Sequence, residues 1–168
     1  MDFEPEKHHR HSIRVQGYDY NQGLFFLTLC TYQREHLFGE IVNNEIRLNR
    51  FGEIVLETWE WLSVKYTFVE LDMCVVMPNH FHGILHLKGT DIEPSKPNLK
   101  TLGSIVGVLK TVSTKKINLI RNSPVTPIWQ RNYYEHIVRN DNDLDRIREY
   151  IANNPATWET DLNNNWQK

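Results

Sequence analysis

The chain has 168 residues, of which 40% are hydrophobic and 24% charged, and its formal net charge is −2. These values predict one globular domain with a substantial core, and no apolar run reaches the roughly 18 residues that span a bilayer. The acidic N-terminus lacks the apolar segment of a signal peptide. Cys30 and Cys74 lie in apolar runs, so we expect buried thiols and a cytoplasmic location rather than a disulfide framework.

The predicted elements follow a β-α-β-β-α-β order with a further helix at the C-terminal end. The expected strands are 24–31, 68–77, 80–87 and 133–138, and the expected helices are 50–65, 99–120 and 141–154. Residues 33–40 are expected to form a loop, and 41–48 either a small hairpin or the lead into the first helix. This order predicts a ferredoxin-like, split βαβ α+β fold, in which an antiparallel sheet carries two helices on one face.

We expect the whole chain, residues 1–168, to be one domain. Within it we expect an N-terminal arm at 1–20, a ferredoxin-like core at 21–139, a helix at 140–155 and a tail at 156–168. Asn49 is the predicted N-cap of the first helix, and Asn140 or Asp141 that of the third, which ends at Pro155.

The sequence His80-Phe81-His82 lies at the start of the third expected strand. Side chains alternate along a strand, so the two imidazoles share a face while Phe81 points to the other. Two imidazoles on a rigid strand can form part of a metal site or bind a phosphate. A His-x-His pair can equally consist of two satisfied surface histidines.

A second feature lies about 70 residues later, on the third expected helix. Tyr150 and Asn154 are four positions apart and therefore lie on one helical face. Alone, this pair is typical of ordinary packing near a helix end. Together with His80 and His82, it predicts a site with two imidazoles, an amide oxygen and a phenol.

Positive charge is concentrated between residues 96 and 139, where eight Lys or Arg residues face one acid, a local net charge of +7. Such a zone on an acidic body can bind a polyanion. It can equally be the solvated face of one long helix.

The sequence resembles the single-tyrosine HUH transposases, whose motif is His-hydrophobic-His. MPNHFH at 77–82 is similar to that motif, and YIANNP at 150–155 is similar to the helix that carries the family's tyrosine. HSIR at 11–14, GYDY at 17–20, FFLT at 25–28 and WQRNYY at 129–134 further resemble the REP-associated tyrosine transposase branch. Mobile-element enzymes usually carry Gln where this chain has Asn154, which favours the REP-associated branch and leaves both a monomer and a homodimer open.

The resemblance implies metal-dependent cleavage and rejoining of single-stranded DNA next to a hairpin. Tyr150 would be the nucleophile that forms a 5′-phosphotyrosine, and His80, His82 and Asn154 would hold Mg²⁺ or Mn²⁺. No small-molecule cofactor is implied, and His136 is interpreted as a packing or surface residue.

A basic groove and stacking aromatic rings are expected to hold the single strand. The candidate phosphate contacts are Arg10, Arg14, Lys110, Lys115, Lys116, Arg131 and Arg139, and the candidate stacking rings are Trp129, Tyr133 and Tyr134. Trp129 is equally compatible with a place in the core. Two rival functions stay open: a non-catalytic module that binds single-stranded nucleic acid, and a metal phosphodiesterase that uses water, with Tyr150 only structural.

Overall fold

The structure is a computed structural model that describes residues 16–89 and 101–161. Its strands are β1 (Gly23–Cys30), β2 (Gly39–Val42), β3 (Glu45–Leu48), β4 (Val69–Met77), β5 (His80–Leu87) and β6 (Tyr134–Ile137). Its helices are α1 (Arg50–Lys65), α2 (Leu102–Ile120) and α3 (Asp141–Asn153). Short 3₁₀ turns occupy Tyr32–Arg34 and Trp158–Thr160.

Four strands form one antiparallel sheet in the order β4-β5-β1-β6. With α1 between β1 and β4 and α2 between β5 and β6, this is the ferredoxin-like α+β topology that the sequence predicted. The register aligns Thr28 with His82 and Cys30 with His80 across β1 and β5. Because paired residues share a face, both histidines lie on one face of the sheet.

The opposite face of the sheet forms the main hydrophobic core. Phe25, Leu27 and Leu29 of β1 pack there with residues of α1 and α2. Gly83 of β5 also belongs to this face, where a Cβ would lie 2.9 Å from the ring of Trp59 and 2.7 Å from that of Phe81. The glycine therefore allows Trp59 to approach the strand next to His82.

The third helix covers the histidine face of the sheet. Ile151 packs with Phe26 and Ile84 in a smaller cluster beneath α3. Arg148 of α3 binds Asp72 of β4 through two hydrogen bonds of 2.6 and 3.1 Å. These contacts fix the orientation of α3 above the strand that carries the histidines.

Local signals explain where the helices begin. The Asn49 side chain accepts hydrogen bonds from the backbone N–H groups of residues 51 and 52, and Asn140 accepts one from residue 143, so both predicted N-caps are confirmed. Asn43 and Asn44 both have positive φ, 52° and 63°, as a tight hairpin turn requires. Residues 41–48 thus form most of the β2–β3 hairpin, which was one of the two structures expected there. The loop expected at 33–40 is shorter than predicted, because β2 already begins at Gly39.

Two further expectations concern the cysteines and membranes. Cys30 is buried as expected, and Cys74 is half-buried; neither forms a disulfide. Within the described residues, no helix has the length and apolar character needed to cross a membrane.

Candidate active site

The two histidines of β5 form the floor of the site. The side chains of His80 and His82 are buried, and their ring centroids lie 4.5 Å apart. Nδ1 of His80 donates to Oδ1 of Asn79 at 2.8 Å, and Nδ1 of His82 lies 2.9 Å from the Thr28 hydroxyl. These partners orient each ring so that its Nε2 points away from the strand, in the arrangement that metal-ligating histidines use.

Both imidazoles are neutral at physiological pH. Burial lowers the pKa of His80 to about 4. Burial, reinforced by His80, also lowers the pKa of His82 well below its ordinary value. A neutral imidazole whose Nδ1 donates a hydrogen bond has a lone pair on Nε2, so His80 presents a ligand atom to the space below α3, and His82 does the same when its Nδ1 donates to the Thr28 hydroxyl.

The third helix brings its polar face onto these rings. Oδ1 of Asn154 lies 3.3 Å from Nε2 of His80, and the phenol of Tyr150 lies 3.3 Å from Nε2 of His82. Asn154 is buried, whereas Tyr150 is 43% exposed and so can reach a bound molecule. Burial raises the pKa of the Tyr150 phenol above its ordinary value, and Asp161 adds to this, so the phenol is protonated at neutral pH.

Sequence reasoning did not single out two further residues of the site. Asp161 follows the turn Trp158–Thr160 and places Oδ2 3.6 Å from Nε2 of His80. Arg34 is half-buried nearby, and its charge contributes to lowering the pKa of His80. Asp161 lies beyond Pro155 in a segment without a helical or strand period, so no spacing signal pointed to it, whereas Arg34 follows β1 closely enough to have been considered.

The donor set fits a divalent cation. The available ligand atoms of His80, His82 and Asp161 lie within 4.8 Å of one another, and Asn154 adds its amide oxygen. Oδ1 of Asn154 is the amide atom that faces His80, and among the described residues its Nδ2 has no hydrogen-bond partner. Imidazole nitrogens combined with amide and carboxylate oxygens suit Mn²⁺, and the oxygens also suit Mg²⁺.

Two of the candidate DNA contacts are engaged inside the protein. The Trp129 side chain is only 7% exposed, because it packs in the core and donates to Ser113 at 3.0 Å. The Lys110 ammonium donates to three backbone carbonyls, those of residues 130, 131 and 132, at 2.9 to 3.2 Å. In this arrangement packing and carbonyl groups already occupy both side chains, so the expected stacking by Trp129 and phosphate contact by Lys110 would require these contacts to be given up.

Two other lysines lie on the side of the sheet opposite the histidines. Lys115 and Lys116 are exposed on α2, which covers the face opposite the histidines. The hydrogen bond from Arg50 lowers the pKa of the Glu57 carboxyl on α1, and the nearby charge of Lys116 lowers it further. Their positive charge thus faces away from Tyr150, and the DNA contact expected of them would lie on the other face of the sheet from the histidines.

The remaining candidates for DNA contact that the structure describes lie on strand β6 or close to its ends. Tyr134 pairs with Thr28, which pairs with His82, so Tyr134 lies on the histidine face, and it is 53% exposed. The Tyr133 ring is half-buried beneath the Lys110 ammonium, 5.4 Å from its centre. Arg131 and Arg139 are exposed at the two ends of β6. Arg10 and Arg14 lie outside the described residues.

His136 behaves as the sequence indicated. Its Nε2 donates to Oδ2 of Asp143 at 2.8 Å, and this pair connects β6 to the first turn of α3. His136 therefore helps to hold α3 on the sheet from the edge opposite to Asp72.

Two proteins of Haemophilus influenzae are similar to this chain in sequence. The chain is 40% identical over 169 residues to an uncharacterized protein of Haemophilus influenzae, covering 92% of both proteins. It is 26% identical over 142 residues to a protein of the same organism provisionally named a REP-associated tyrosine transposase, covering 80% of this chain and 70% of that protein. No protein-family model matches the sequence.

A solved structure shows the same fold. It is that of a REP-associated tyrosine transposase bound to a REP hairpin, with a TM-score of 0.63 and 22% sequence identity over 88% of this chain and 74% of the other. The chain therefore has the fold of a REP-associated tyrosine transposase, and its sequence is similar to that of a protein provisionally given that name.

Proposed function

We propose that this protein cleaves and rejoins single-stranded DNA beside a hairpin through a covalent bond between Tyr150 and a 5′-phosphate. One observation carries the proposal. The tyrosine of α3 lies 3.3 Å from His82, while Asn154 of the same helix lies 3.3 Å from His80. A nucleophile and a set of metal-ligand atoms thus converge from two elements that are 68 or more residues apart in sequence.

In the proposed reaction the phenol oxygen of Tyr150 attacks the scissile phosphorus. A bond forms between that oxygen and phosphorus, the bond from phosphorus to the 3′ oxygen breaks, and the leaving oxygen takes up a proton to become a 3′ hydroxyl. The phosphotyrosine conserves the energy of the broken bond, so a 3′ hydroxyl can later displace the tyrosine and restore the strand. An enzyme that used water as the nucleophile would not conserve this energy. The covalent route is therefore the one that suits rejoining of the strand.

His80, His82 and Asn154 would hold a divalent ion, Mg²⁺ or Mn²⁺. When bound, such an ion supplies Lewis-acid stabilisation of the charge that develops on the phosphate and the leaving oxygen. Nε2 of His82 has one lone pair, so the phenol of Tyr150 must turn from His82 toward the substrate when that nitrogen serves as a ligand. The raised pKa of Tyr150 means that its proton must leave as the attack proceeds.

The exposed part of the histidine face would receive the DNA. Tyr134 offers a ring for stacking on a base, and Arg131 and Arg139 offer charges for the phosphates. Because Tyr150 reaches His82 of its own chain, the proposed site is complete within one chain, as a monomer or as a homodimer without exchanged tyrosines. The proposed location of the protein is the cytoplasm, where it would meet its DNA substrate.

The experiment incubates the purified protein with labelled hairpin oligonucleotides taken from DNA flanking its own gene, in the presence of Mn²⁺ or Mg²⁺. We expect a protein–DNA adduct that survives denaturation, requires the metal and is lost in Tyr150→Phe. Tyr32→Phe is the matched control, since Tyr32 is also 43% exposed but lies on the turn after β1.

Each alternative function predicts a different outcome of this assay. Cleavage without an adduct, unchanged in Tyr150→Phe, would instead show a phosphodiesterase that uses water. Binding without cleavage across the flanking sequences would indicate a nucleic-acid-binding module.

A further inference from the structure

The chain that leads into β6 pairs with β1 irregularly. Thr31, directly after β1, pairs with Trp129, and Thr28 of β1 pairs with Tyr134. The two pairs are three positions apart on the β1 side and five positions apart on the other side, so residues 130–133 form a bulge with two extra residues. A regular ladder would place the residue two positions earlier opposite Thr28. The bulge therefore brings Tyr134 to that place.

Lys110 of α2 binds the bulge from the side of the main core. Its ammonium donates to the backbone carbonyls of residues 130, 131 and 132 at 2.9, 3.2 and 3.2 Å. The ring of Tyr133 faces the same ammonium, with 5.4 Å between the nitrogen and the ring centre. Successive carbonyls of a regular strand point in opposite directions, so three consecutive carbonyls aimed at one point are a special conformation. An ammonium suits this conformation because it has three N–H donors and no acceptor.

The charge of Lys110 is costly at this position. The side chain is half-buried, and burial lowers the pKa of Lys110 to about 8, so the ammonium form still predominates at neutral pH. An apolar side chain could fill the same space without the cost of removing a charge from water. The three carbonyls explain the charge, because converging oxygens repel one another unless a positively charged donor lies between them. Lys110 thus determines the path of the bulge.

The path of the bulge decides which ring reaches the histidine face. Side chains alternate along a strand, so Tyr133 packs against the main core while Tyr134 lies on the histidine face and is 53% exposed. Thr28, the pairing partner of Tyr134, has its hydroxyl 2.9 Å from Nδ1 of His82. Tyr134 therefore lies on the strand next to β1, which itself supports a histidine of the candidate site.

We propose that Lys110 is a positioning residue for DNA binding, whose ammonium holds the bulge so that Tyr134 is presented beside the candidate site. This inference rests on the proposed function, because it concerns the surface that would receive the DNA. Lys110 acts through Tyr134 and touches no phosphate itself. Without the ammonium, the three carbonyls lose their shared donor, and the bulge no longer fixes the position of the ring.

The test measures by fluorescence anisotropy how the protein binds a fluorescein-labelled hairpin oligonucleotide taken from DNA flanking its own gene. Lys110→Met keeps an unbranched side chain and removes the ammonium. We expect its Kd to rise about tenfold, within the range for loss of one base–aromatic stack. Lys115→Met removes the same charge from an exposed position of α2, and its Kd should change by less than about twofold because solvent and salt screen that charge.

A double-mutant cycle separates positioning from direct contact with DNA. The variant that combines Lys110→Met with Tyr134→Ala should bind no more than about twofold more weakly than Tyr134→Ala alone, because without the ring Lys110 has nothing to position. The rate of adduct formation by Lys110→Met at saturating DNA should stay within about twofold of the parent rate, since the substitution affects binding and not the chemical step.

Folding is checked first, from the circular dichroism spectra and melting temperatures of all variants. If Lys110→Met does not fold, Lys110→Gln takes its place in the cycle. Its Kd should rise at least about threefold, because two N–H donors on a shorter side chain cannot satisfy three carbonyls.

Three results would overturn the inference and leave the proposed function intact. They are a folded variant of Lys110 whose Kd stays within about twofold of the parent value, a Tyr134→Ala variant that binds like the parent, and losses that multiply in the double variant, which would mean that Lys110 contacts DNA itself. If the parent does not bind the oligonucleotide, the inference and the DNA binding of the proposed function both fail.

Discussion

The ion pair between Arg148 and Asp72 should decide how firmly the tyrosine helix is held. Arg148 lies two positions before Tyr150, and its guanidinium binds both carboxylate oxygens of Asp72 on β4. The side chains are 41% and 28% exposed, so solvent screens the pair in part. A bidentate pair of this kind contributes about 1 kcal/mol, the upper end of the range for surface pairs.

Replacing Asp72 by Asn should therefore ease local opening of α3 by about 1 kcal/mol. Since 1.4 kcal/mol corresponds to a factor of ten, the backbone amides of α3 should exchange with solvent roughly fivefold faster, while those of β5 should not change. Hydrogen exchange followed by mass spectrometry measures both segments in one experiment. Arg50→Gln, which removes exposed pairs with Glu53 and Glu57 on α1, is the control and should leave α3 unchanged.

The same pair predicts a dependence on pH. The hydrogen bond from Arg148 lowers the pKa of Asp72 below its ordinary value. Stability from a carboxylate with a lowered pKa is present above the unfolded-state value of about 3.9 and is lost as the pH falls through the lowered value. The difference in unfolding free energy between the parent and Asp72→Asn should narrow in acid, as measured by urea titration.

Two results would refute this reasoning. Unchanged exchange in α3 would mean that the apolar contacts of Ile151 hold the helix without help from the ion pair. Equal acceleration in α3 and β5 would mean that the substitution lowers global stability and does not act on the helix locally.

Three further predictions concern the sheet and its two faces. Gly83→Ala should destabilise the protein by about 2 kcal/mol and lower its Tm by roughly 4 to 8 °C, because the added Cβ meets the rings of Trp59 and Phe81; an unchanged calorimetric Tm would contradict this. Tyr134→Ala should weaken binding of a single-stranded oligonucleotide by about 1 to 3 kcal/mol in fluorescence anisotropy, since it removes a stacking ring on the histidine face, and equal affinity would remove Tyr134 from the interface. Lys116→Gln should change that affinity by less than about twofold, because α2 covers the other face, and a larger loss would place DNA there.

Local signals in the sequence were sufficient to predict the four strands of the main sheet and the three helices. Asn49 and Asn140 act as caps because a side-chain oxygen satisfies the free N–H groups of a helix start wherever the chain then turns helical. Alternation along β5 placed His80 and His82 on one face, and helical spacing placed Tyr150 with Asn154. These relations span only a few residues, so they do not depend on the rest of the structure.

Tertiary packing alone decided which of the predicted functional residues meet. The sequence indicated a basic zone, but Lys115 and Lys116 project from a helix on the far side of the sheet, and Lys110 is engaged by backbone carbonyls. Trp129 became a core residue because α2 and the loop before β6 enclose it.

Asp161 shows the same limit most clearly. A single aspartate after a proline and a 3₁₀ turn carries no periodic signal, yet stacking of Trp158 on His80 returns its carboxylate to the site. Sequence patterns determine the direction of a side chain relative to its own strand or helix. Contacts between elements distant in sequence determine what that side chain faces, because they depend on how the sheet, the helices and the turns fill space together.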